Sequence, residues 1–210
     1  TYYFQKTKNE SKGINLTLRK NILSKFMVGY TLGFLETNNG LFDNHFNGAF
    51  NIIEDTKNIF SSISFKSSLA KELSFIGSIN YSNSSNINSD KIIKNISGLE
   101  EFSFDFALIK KSLFYKNDFL SFRIKQDPRI EKARVSLNIP KGRNPNGVVE
   151  FKSVTLPIIP SGREINFETS WSFQRDNRKS FINLSFINDK DHINSKDIEI
   201  NFMFAHQRFF

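Results

Sequence analysis

Almost every segment of this chain alternates apolar and polar side chains with a period of two. A β-strand points successive side chains to opposite faces, so this period predicts strands and not helices. In the segment 26–34, every second residue is large and apolar, and small or polar residues such as glycine and threonine stand between most of them. Its apolar face consists of Phe26, Val28, Tyr30, Leu32 and Phe34. No long segment follows a helical period, and we therefore predict an all-β chain.

The alternation predicts twelve strands in one domain that covers residues 1–210. They span 1–7, 13–21, 25–36, 57–68, 72–82, 99–110, 118–126, 132–139, 148–156, 163–173, 180–187 and 197–209. In the ninth strand the alternation slips between Phe151 and Val154, which predicts a β-bulge. In the clearest alternating segments the charged residues lie opposite the apolar face. Among them are Arg19, Asp105, Arg123, Lys125, Arg134, Glu168 and Glu199.

The predicted connections alternate in length through the first half of the chain. Strands two and three, and strands four and five, are separated by about three residues, whereas 37–56 and 83–98 form long loops. Outer-membrane barrels combine tight periplasmic turns with longer external loops. We therefore predict an antiparallel up-and-down transmembrane β-barrel, in which the charged faces line a wet lumen.

Composition excludes several other classes of protein. The 210 residues contain no cysteine, so a disulfide framework, a cysteine-based zinc site and a thiol nucleophile are impossible. The longest apolar run, Phe106 to Ile109, is far too short for a helical membrane span. The net charge is +8, but the basic residues do not cluster into a stripe, and we predict no nucleic-acid partner. Because the chain begins without methionine or a leader, we expect it to be a piece of a longer precursor.

The main alternative is a soluble β-sandwich, which also alternates because one face packs a core and the other meets water. Three features favour a barrel in lipid over a sandwich in water: the number of consecutive strands, the repeated phenylalanine on the apolar face, and the last strand. Tyr30, Tyr81, Trp171 and Phe173 lie near predicted strand ends, where an interfacial girdle of aromatic residues would be. A small porin-like channel without a passenger is a third interpretation.

The last predicted strand resembles the assembly signal of outer-membrane barrels, because it is amphipathic and ends on an aromatic residue. Phe202, Phe204 and Phe210 share one face and are the predicted signal. His206 and Arg208 lie on the same face, which departs from the expected pattern. Polar groups there would be costly in lipid unless they lie at the interface.

No motif in the sequence points to catalysis, and we predict that the chain is not an enzyme and needs no cofactor. Its histidines, His45, His192 and His206, stand in no recognisable arrangement of nucleophile and base. The acidic residues lack the spacing of a metal-binding loop, and no glycine-rich phosphate loop occurs. The segment 142–147 has the composition of a turn.

The second half of the chain is similar to the C-terminal region of bacterial autotransporters with a subtilisin-like (S8 family) serine peptidase. The segments that carry the resemblance are 120–130, 133–142, 147–151 and 156–166, with weaker matches at 48–50 and His192. The most specific block consists of Pro160, Ser161, Gly162, Arg163 and Glu164. Lys125 and Asp127 depart from the pattern of the segment before it.

The resemblance implies a translocator that exports an N-terminal protease passenger and then anchors the protein in the bacterial outer membrane. The implied partners are outer-membrane lipid, the barrel-assembly machinery and the covalently attached passenger. A catalytic triad would belong to the passenger and not to this chain. The alternatives remain a soluble accessory domain of a secreted protease and a small porin-like channel.

Overall fold

The structure, a computed structural model, describes residues 11–37, 56–88, 92–175 and 177–208. These residues form one antiparallel up-and-down sheet of eleven strands. The strands are β1 (Ser11–Leu23), β2 (Phe26–Thr37), β3 (Thr56–Ala70), β4 (Leu73–Ser84), β5 (Ile87–Asn88), β6 (Ile93–Lys111), β7 (Phe119–Arg143), β8 (Val149–Pro157), β9 (Ile165–Arg175), β10 (Arg178–Asn188) and β11 (Ile198–Arg208). A 3-10 turn covers Lys190–His192. No helix in the described ranges is long and apolar enough to cross a membrane.

Nine strands follow one another across the sheet in the order β1-β2-β3-β4-β6-β7-β9-β10-β11, and we call them the main sheet. The two short strands lie off this path, since β5 pairs with β6 and β8 pairs with β7. The predicted all-β, antiparallel, up-and-down architecture is confirmed. Within the described residues β1 and β11 are the two edges of the main sheet and do not pair with each other. The strand predicted at 1–7 lies outside the described residues.

Two predicted strands, 118–126 and 132–139, are one continuous strand, β7. Their separation was wrong because Pro128 cannot donate a backbone hydrogen bond and therefore indicates a break. The partner strand β6 stays paired on both sides of it: Gln126 lies opposite Phe104, and Arg129 lies opposite Phe102. The register shift there places Pro128 in a bulge, where a missing donor costs little.

The predicted bulge of the ninth strand is also wrong. Phe151, Lys152, Ser153 and Val154 of β8 pair with consecutive residues of β7 without a register shift. The shift lies instead on the β7 side, between Pro140 and Gly142. Because β8 is an edge strand, its side chains are exposed on both faces and their polarity is not tied to one buried face.

Successive connections of the main sheet lie at alternate ends. Two residues separate β1 from β2, β3 from β4 and β9 from β10, and the seven residues 112–118 join β6 to β7; we call this the short-turn end. The opposite, long-connection end carries 85–92, 158–164 and 189–197, whereas the loop predicted at 37–56 lies almost wholly outside the described residues. The loop predicted at 83–98 is shorter than expected, because it contains β5 and because β6 begins at Ile93. Lengths do not alternate strictly in the second half, since 112–118 is as long as 158–164.

Buried hydrophobic side chains concentrate at the long-connection end. They are Ile87, Ile96, Leu99, Ala107, Ala133 and Val135, of which only Ala107 lies well inside the main sheet. Ile87, Ile96 and Val135 pack together with the half-buried Ile93, Leu137 and Ile158. We call β5, β8, residues 93–97 of β6 and residues 134–143 of β7 the extension, because they build this small core beyond the main sheet.

Candidate functional site

The two faces of the main sheet are the candidate site, and strand register defines them. Directly opposed residues share a face, so a row of pairs can be followed from strand to strand. One row contains mostly polar or small residues: Arg19, Gly29, Ser64, Ser78, Asp105, Lys125, Asn166 and Ile187. The adjacent row on the other face is mostly apolar, with a lysine at the β1 edge: Lys20, Val28, Phe65, Gly77, Phe106, Ile124, Phe167, Phe186 and Ile200.

The polar face is the more buried of the two. On β9 the neighbours Asn166 and Phe167 are 6% and 51% exposed. On β10 the neighbours Ser185 and Phe186 are 6% and 40% exposed. A sheet that packs in water shows the opposite order, because burial of apolar surface stabilises the fold. The main sheet therefore has the burial pattern expected where an apolar solvent meets its apolar face.

Glycine on the polar face allows close packing between strands. An added Cβ on Gly33 would clash with the ring of Phe60, which occupies the opposed position on β3. Phe60 thus covers its glycine neighbour on the polar face. Side chains on the same face bind each other directly: Thr17 and Thr31 are joined by a hydrogen bond of 3.0 Å between their hydroxyl groups, and Asn80 donates to Ser103 over 3.1 Å.

Four of the residues predicted to face the lumen form one charge cluster on the polar face. Arg123 donates through Nε to Asp105 over 2.8 Å and through Nη2 to the second oxygen of that carboxylate. Its Nη1 donates to Glu168 over 3.3 Å, and Lys125 lies 4.0 Å from the other oxygen of Glu168. A fork of this kind fixes a planar guanidinium against a carboxylate. The cluster therefore connects β6, β7 and β9 across the face.

Arg19 and Arg134, predicted to face the lumen with these four, lie elsewhere. Arg19 is on the polar face opposite Gly29, several strands away from Arg123. Arg134 is exposed in the extension, where it lies opposite Ser97 and Pro157. The charge cluster thus contains Asp105, Arg123, Lys125 and Glu168 alone among the predicted residues.

Aromatic rings gather at the short-turn end around Trp171. The Trp171 ring lies 4.6 Å from the Phe173 ring, 5.7 Å from the Phe114 ring and 6.3 Å from the Tyr115 ring, centroid to centroid. The indole N–H donates to the Asp118 carboxylate over 3.1 Å. Aromatic residues with one polar end bonded suit a boundary between an apolar and a wet medium.

Asp118 organises the turn that carries this aromatic cluster. Its carboxylate accepts hydrogen bonds from the backbone N–H groups of Leu113, Phe114 and Tyr115, at 2.7, 3.0 and 3.2 Å. Burial raises the pKa of Asp118, but these bonds, from Phe114 and the Trp171 indole before the others, outweigh burial and lower its pKa below the ordinary value. The prediction from sequence missed Asp118, although Lys-Asn-Asp before a strand is a signal for a side-chain-capped turn.

The block Pro160–Glu164 and His192, which carry the family resemblance, lie side by side at the long-connection end. The Glu164 backbone N–H donates to His192 Nδ1 over 2.9 Å, so His192 Nε2 carries the proton and donates to the Pro128 carbonyl over 3.1 Å. Gly162 N–H donates to the His192 carbonyl over 2.7 Å. An added Cβ on Gly162 would lie 2.5 Å from the backbone nitrogen of Asn194. Only glycine fits this approach, and we call the contact of 160–164 with 189–195 the junction.

Two arginines attach the junction to β7. Arg129 donates to the carbonyl groups of Gly162 and Pro160, each over 2.8 Å. Arg163 donates to the amide oxygen of Gln126 over 2.6 Å and pairs with Glu131 at 2.8 Å. Gln126 is 1% exposed, and its Nε2 donates to the Phe102 carbonyl over 3.0 Å. The bulged part of β7 therefore holds the junction in place. The sequence pattern predicts 127–131, within this part, as a connection between two strands.

The turn at 189–195 is held by its own aspartate. Asp189 accepts hydrogen bonds from the backbone N–H groups of Ser195 and Arg163, at 3.1 and 3.2 Å, and these bonds lower its pKa. Asp189, Asp191 and His192 all have positive φ, between 50° and 58°, which is unfavourable for residues other than glycine. Such backbone persists only when the surrounding bonds hold it, and the junction supplies them.

The apolar residues of the predicted assembly signal lie on the edge strand β11. Phe202 and Phe204 are exposed and lie opposite Leu184 and Ile182 of β10, so both are on the apolar face. Phe210 lies outside the described residues. His206 shares that face near the short-turn end, where a 2.8 Å hydrogen bond joins its Nδ1 to the Ser180 hydroxyl.

The described residues contain no group of three or more His, Asp or Glu side chains that could hold a metal ion. No family model matches the chain, and neither a curated protein nor a solved structure matches it significantly. The function is therefore argued from the two faces of the main sheet and from its two ends.

Proposed function

We propose that this chain is an outer-membrane β-barrel domain, the translocator and membrane anchor of an autotransporter whose N-terminal passenger is a subtilisin-like protease. The observation that carries the membrane assignment is the reversed burial of the two faces, with exposed phenylalanine beside buried asparagine and serine. Lipid would meet the apolar face, and the polar face would line the lumen. The partners are outer-membrane lipid, the barrel-assembly machinery and the covalently attached passenger.

The energetics of the apolar face support contact of this face with lipid and not with water. Transfer of a large apolar side chain out of water contributes about 1.5–3 kcal/mol, and the main sheet leaves many such side chains exposed. Soluble monomers rarely expose contiguous apolar patches beyond a few hundred square ångströms. A soluble accessory domain would need a second layer to cover this face, whereas the described strands belong to a single sheet.

The backbone and the connections are consistent with the same proposal. Lipid cannot bond to N–H and C=O groups, so a spanning sheet must pair its edges, here β1 and β11, directly or through further strands. The strands of the main sheet have at least 11 residues each, enough for a tilted span. In outer-membrane barrels short turns face the periplasm, which would orient the extension and the junction outward.

The autotransporter assignment rests on the resemblance of the Pro160–Glu164 block and its surroundings, and no catalytic step is assigned to this chain. A small porin-like channel is the second candidate, and the charge cluster around Arg123 favours it because a fixed ion pair can constrict a lumen. Conductance in planar bilayers by the isolated chain would favour the channel. Surface display of a protease fused before Thr1 would favour the translocator.

The membrane assignment can be tested with Trp171, the only tryptophan of the chain. After refolding into lipid vesicles, brominated acyl chains should quench Trp171 strongly, because its side chain is on the apolar face near the short-turn end. A matched variant, Trp171→Phe with Ser170→Trp, places the indole on the polar face and should be quenched much less. Equal quenching of both proteins, or cooperative folding in plain buffer, would contradict the proposal.

A further inference from the structure

The edge of β8 in the extension is a strand without a second neighbour. β8 pairs with β7 along its length, and its other edge pairs with no strand that the structure describes. Every residue of β8 except Val154 is exposed, including the large side chains of Phe151 and Leu156. An unpaired edge presents a row of N–H and C=O groups that another extended chain can bind.

The charge around this edge is strongly basic. Residues 132–157 contain Lys132, Arg134, Lys141, Arg143 and Lys152 against the single acidic residue Glu150. Lys132 pairs with Glu100 at 3.1 Å. Arg134, Lys141 and Lys152 form no ion pair with any residue in the described part of the chain. Three basic side chains are therefore available to a partner of opposite charge.

We propose that the free edge of β8 binds an extended acidic polypeptide segment, which adds to the extension as a further strand. Main-chain hydrogen bonds would supply affinity, as in other cases of strand addition, and Phe151 and Leu156 would contact apolar side chains of the segment. A second copy of this chain is the less suitable occupant, because it would bring the same basic side chains to the same edge. The inference needs only the extension and goes beyond the proposed function.

Phe151 and Leu156 lie on opposite faces of β8, so the bound segment needs apolar and acidic side chains on both of its faces. The test therefore uses the full chain in detergent micelles and a labelled twelve-residue peptide that repeats Val-Val-Glu-Glu. Binding is measured by fluorescence anisotropy at two salt concentrations. We expect the acidic peptide to bind, to weaken at high salt, and to exceed a lysine-for-glutamate version at least tenfold in affinity. Equal binding of the two peptides, or no binding of the acidic one, would overturn the proposal.

Two N-methylated peptides separate strand addition from simple charge attraction. One carries the methyl groups on odd residues and the other on even residues, so only one of them loses the N–H groups that face β8. We expect one peptide to lose affinity at least tenfold and the other to retain it. If both bind like the unmodified peptide, the association is electrostatic alone and the proposed pairing is wrong.

Protein variants locate the site. The triple variant Arg134→Gln, Lys141→Gln, Lys152→Gln should weaken binding by about tenfold, since each exposed charge pair contributes modestly. The matched control removes the same charge from the short-turn end: Lys20→Gln, Lys25→Gln, Lys179→Gln. Circular dichroism of both variants checks that the fold is retained. An equal loss in both variants would show that net charge acts, and not this edge, and would overturn the assignment.

Discussion

The extension and the main sheet place the same kinds of side chain on opposite sides of the fold. In the extension Ile87, Ile96 and Val135 pack inward against one another, as in a domain that folds in water. In the main sheet Phe167 and its apolar neighbours point outward, and Asn166 is buried. Two strands, β6 and β7, contribute to both regions. The difference shows that the surroundings of each region decide which side chains are buried. The sequence pattern of a strand does not decide this.

The largest expected effect compares a core residue of the extension with an outward-facing one of the main sheet. Ile96→Ala opens a cavity in the small core and should destabilise the extension by about 2–5 kcal/mol. Ile63→Ala removes the same atoms from the apolar face, where Ile63 is already half exposed, and should cost much less. Hydrogen exchange in the reconstituted protein measures both. Similar losses at the two positions would mean that the two regions do not differ in packing.

The next effect tests which medium each face of β2 meets. Tyr30 lies inside β2, opposite Leu18 and Ile63, and not at the strand end where the aromatic girdle was predicted. In lipid bilayers Tyr30→Arg puts a cation on the apolar face and should destabilise by roughly 2–4 kcal/mol, the cost of a lipid-facing charge near mid-membrane. Thr31→Arg puts it on the polar face, where water can solvate it, and should cost less. Unfolding by urea in bilayers of two thicknesses separates them further, because only the lipid-facing cost depends on thickness. If both variants unfold alike in each bilayer, the assigned faces are wrong.

A smaller effect compares an ion pair of the polar face with one beside the extension. A double-mutant cycle of Arg123→Leu and Asp105→Asn should give a coupling of about 1 kcal/mol, since the fork is fixed but both side chains are more than a third exposed. The pair Lys132–Glu100 has a lysine that is 70% exposed and should couple by only a few tenths of a kcal/mol. A larger coupling energy for Lys132–Glu100 would contradict the stronger interaction that we expect between Arg123 and Asp105.

The smallest effect is a change at low pH at the short-turn end. The folded state lowers the pKa of Asp118, so its stabilising contribution is complete above the unfolded value of about 3.9 and is lost as the pH falls further, through the folded pKa. Acid should therefore change Trp171 emission below about pH 4, because the protonated carboxyl accepts its indole N–H less well. Asp118→Asn should abolish this titration. A transition that survives in Asp118→Asn would assign it to another group.

The alternation of side chains made the strands of the main sheet predictable, because each has one consistently apolar face. The prediction failed around Pro128 and in β8, where that condition does not hold. Pro128 lies in a bulge of β7. Its neighbours there form hydrogen bonds with the junction, since Gln126 accepts from Arg163 and Arg129 donates to Gly162. The polar residues at this point of the strand therefore reflect tertiary contacts and not alternation. The junction itself was predicted only as a set of family-like residues. Its contact with Asp189 and His192 joins segments that are distant in sequence, which spacing alone does not specify.

The sequence by itself determined the class of fold and the two chemically distinct faces, because a period of two is a local property that any paired strand expresses. It also determined where the charged residues lie along each strand. Only the tertiary structure decided that the polar face is the buried one in the main sheet and that the apolar residues are buried in the extension. Alternation occurs in both regions, although it slips in β8, and burial depends on which strands pair and how they pack. The grouping of Arg123 with Asp105 and Glu168 was decided in the same way, by the register of three strands that are separate in the sequence.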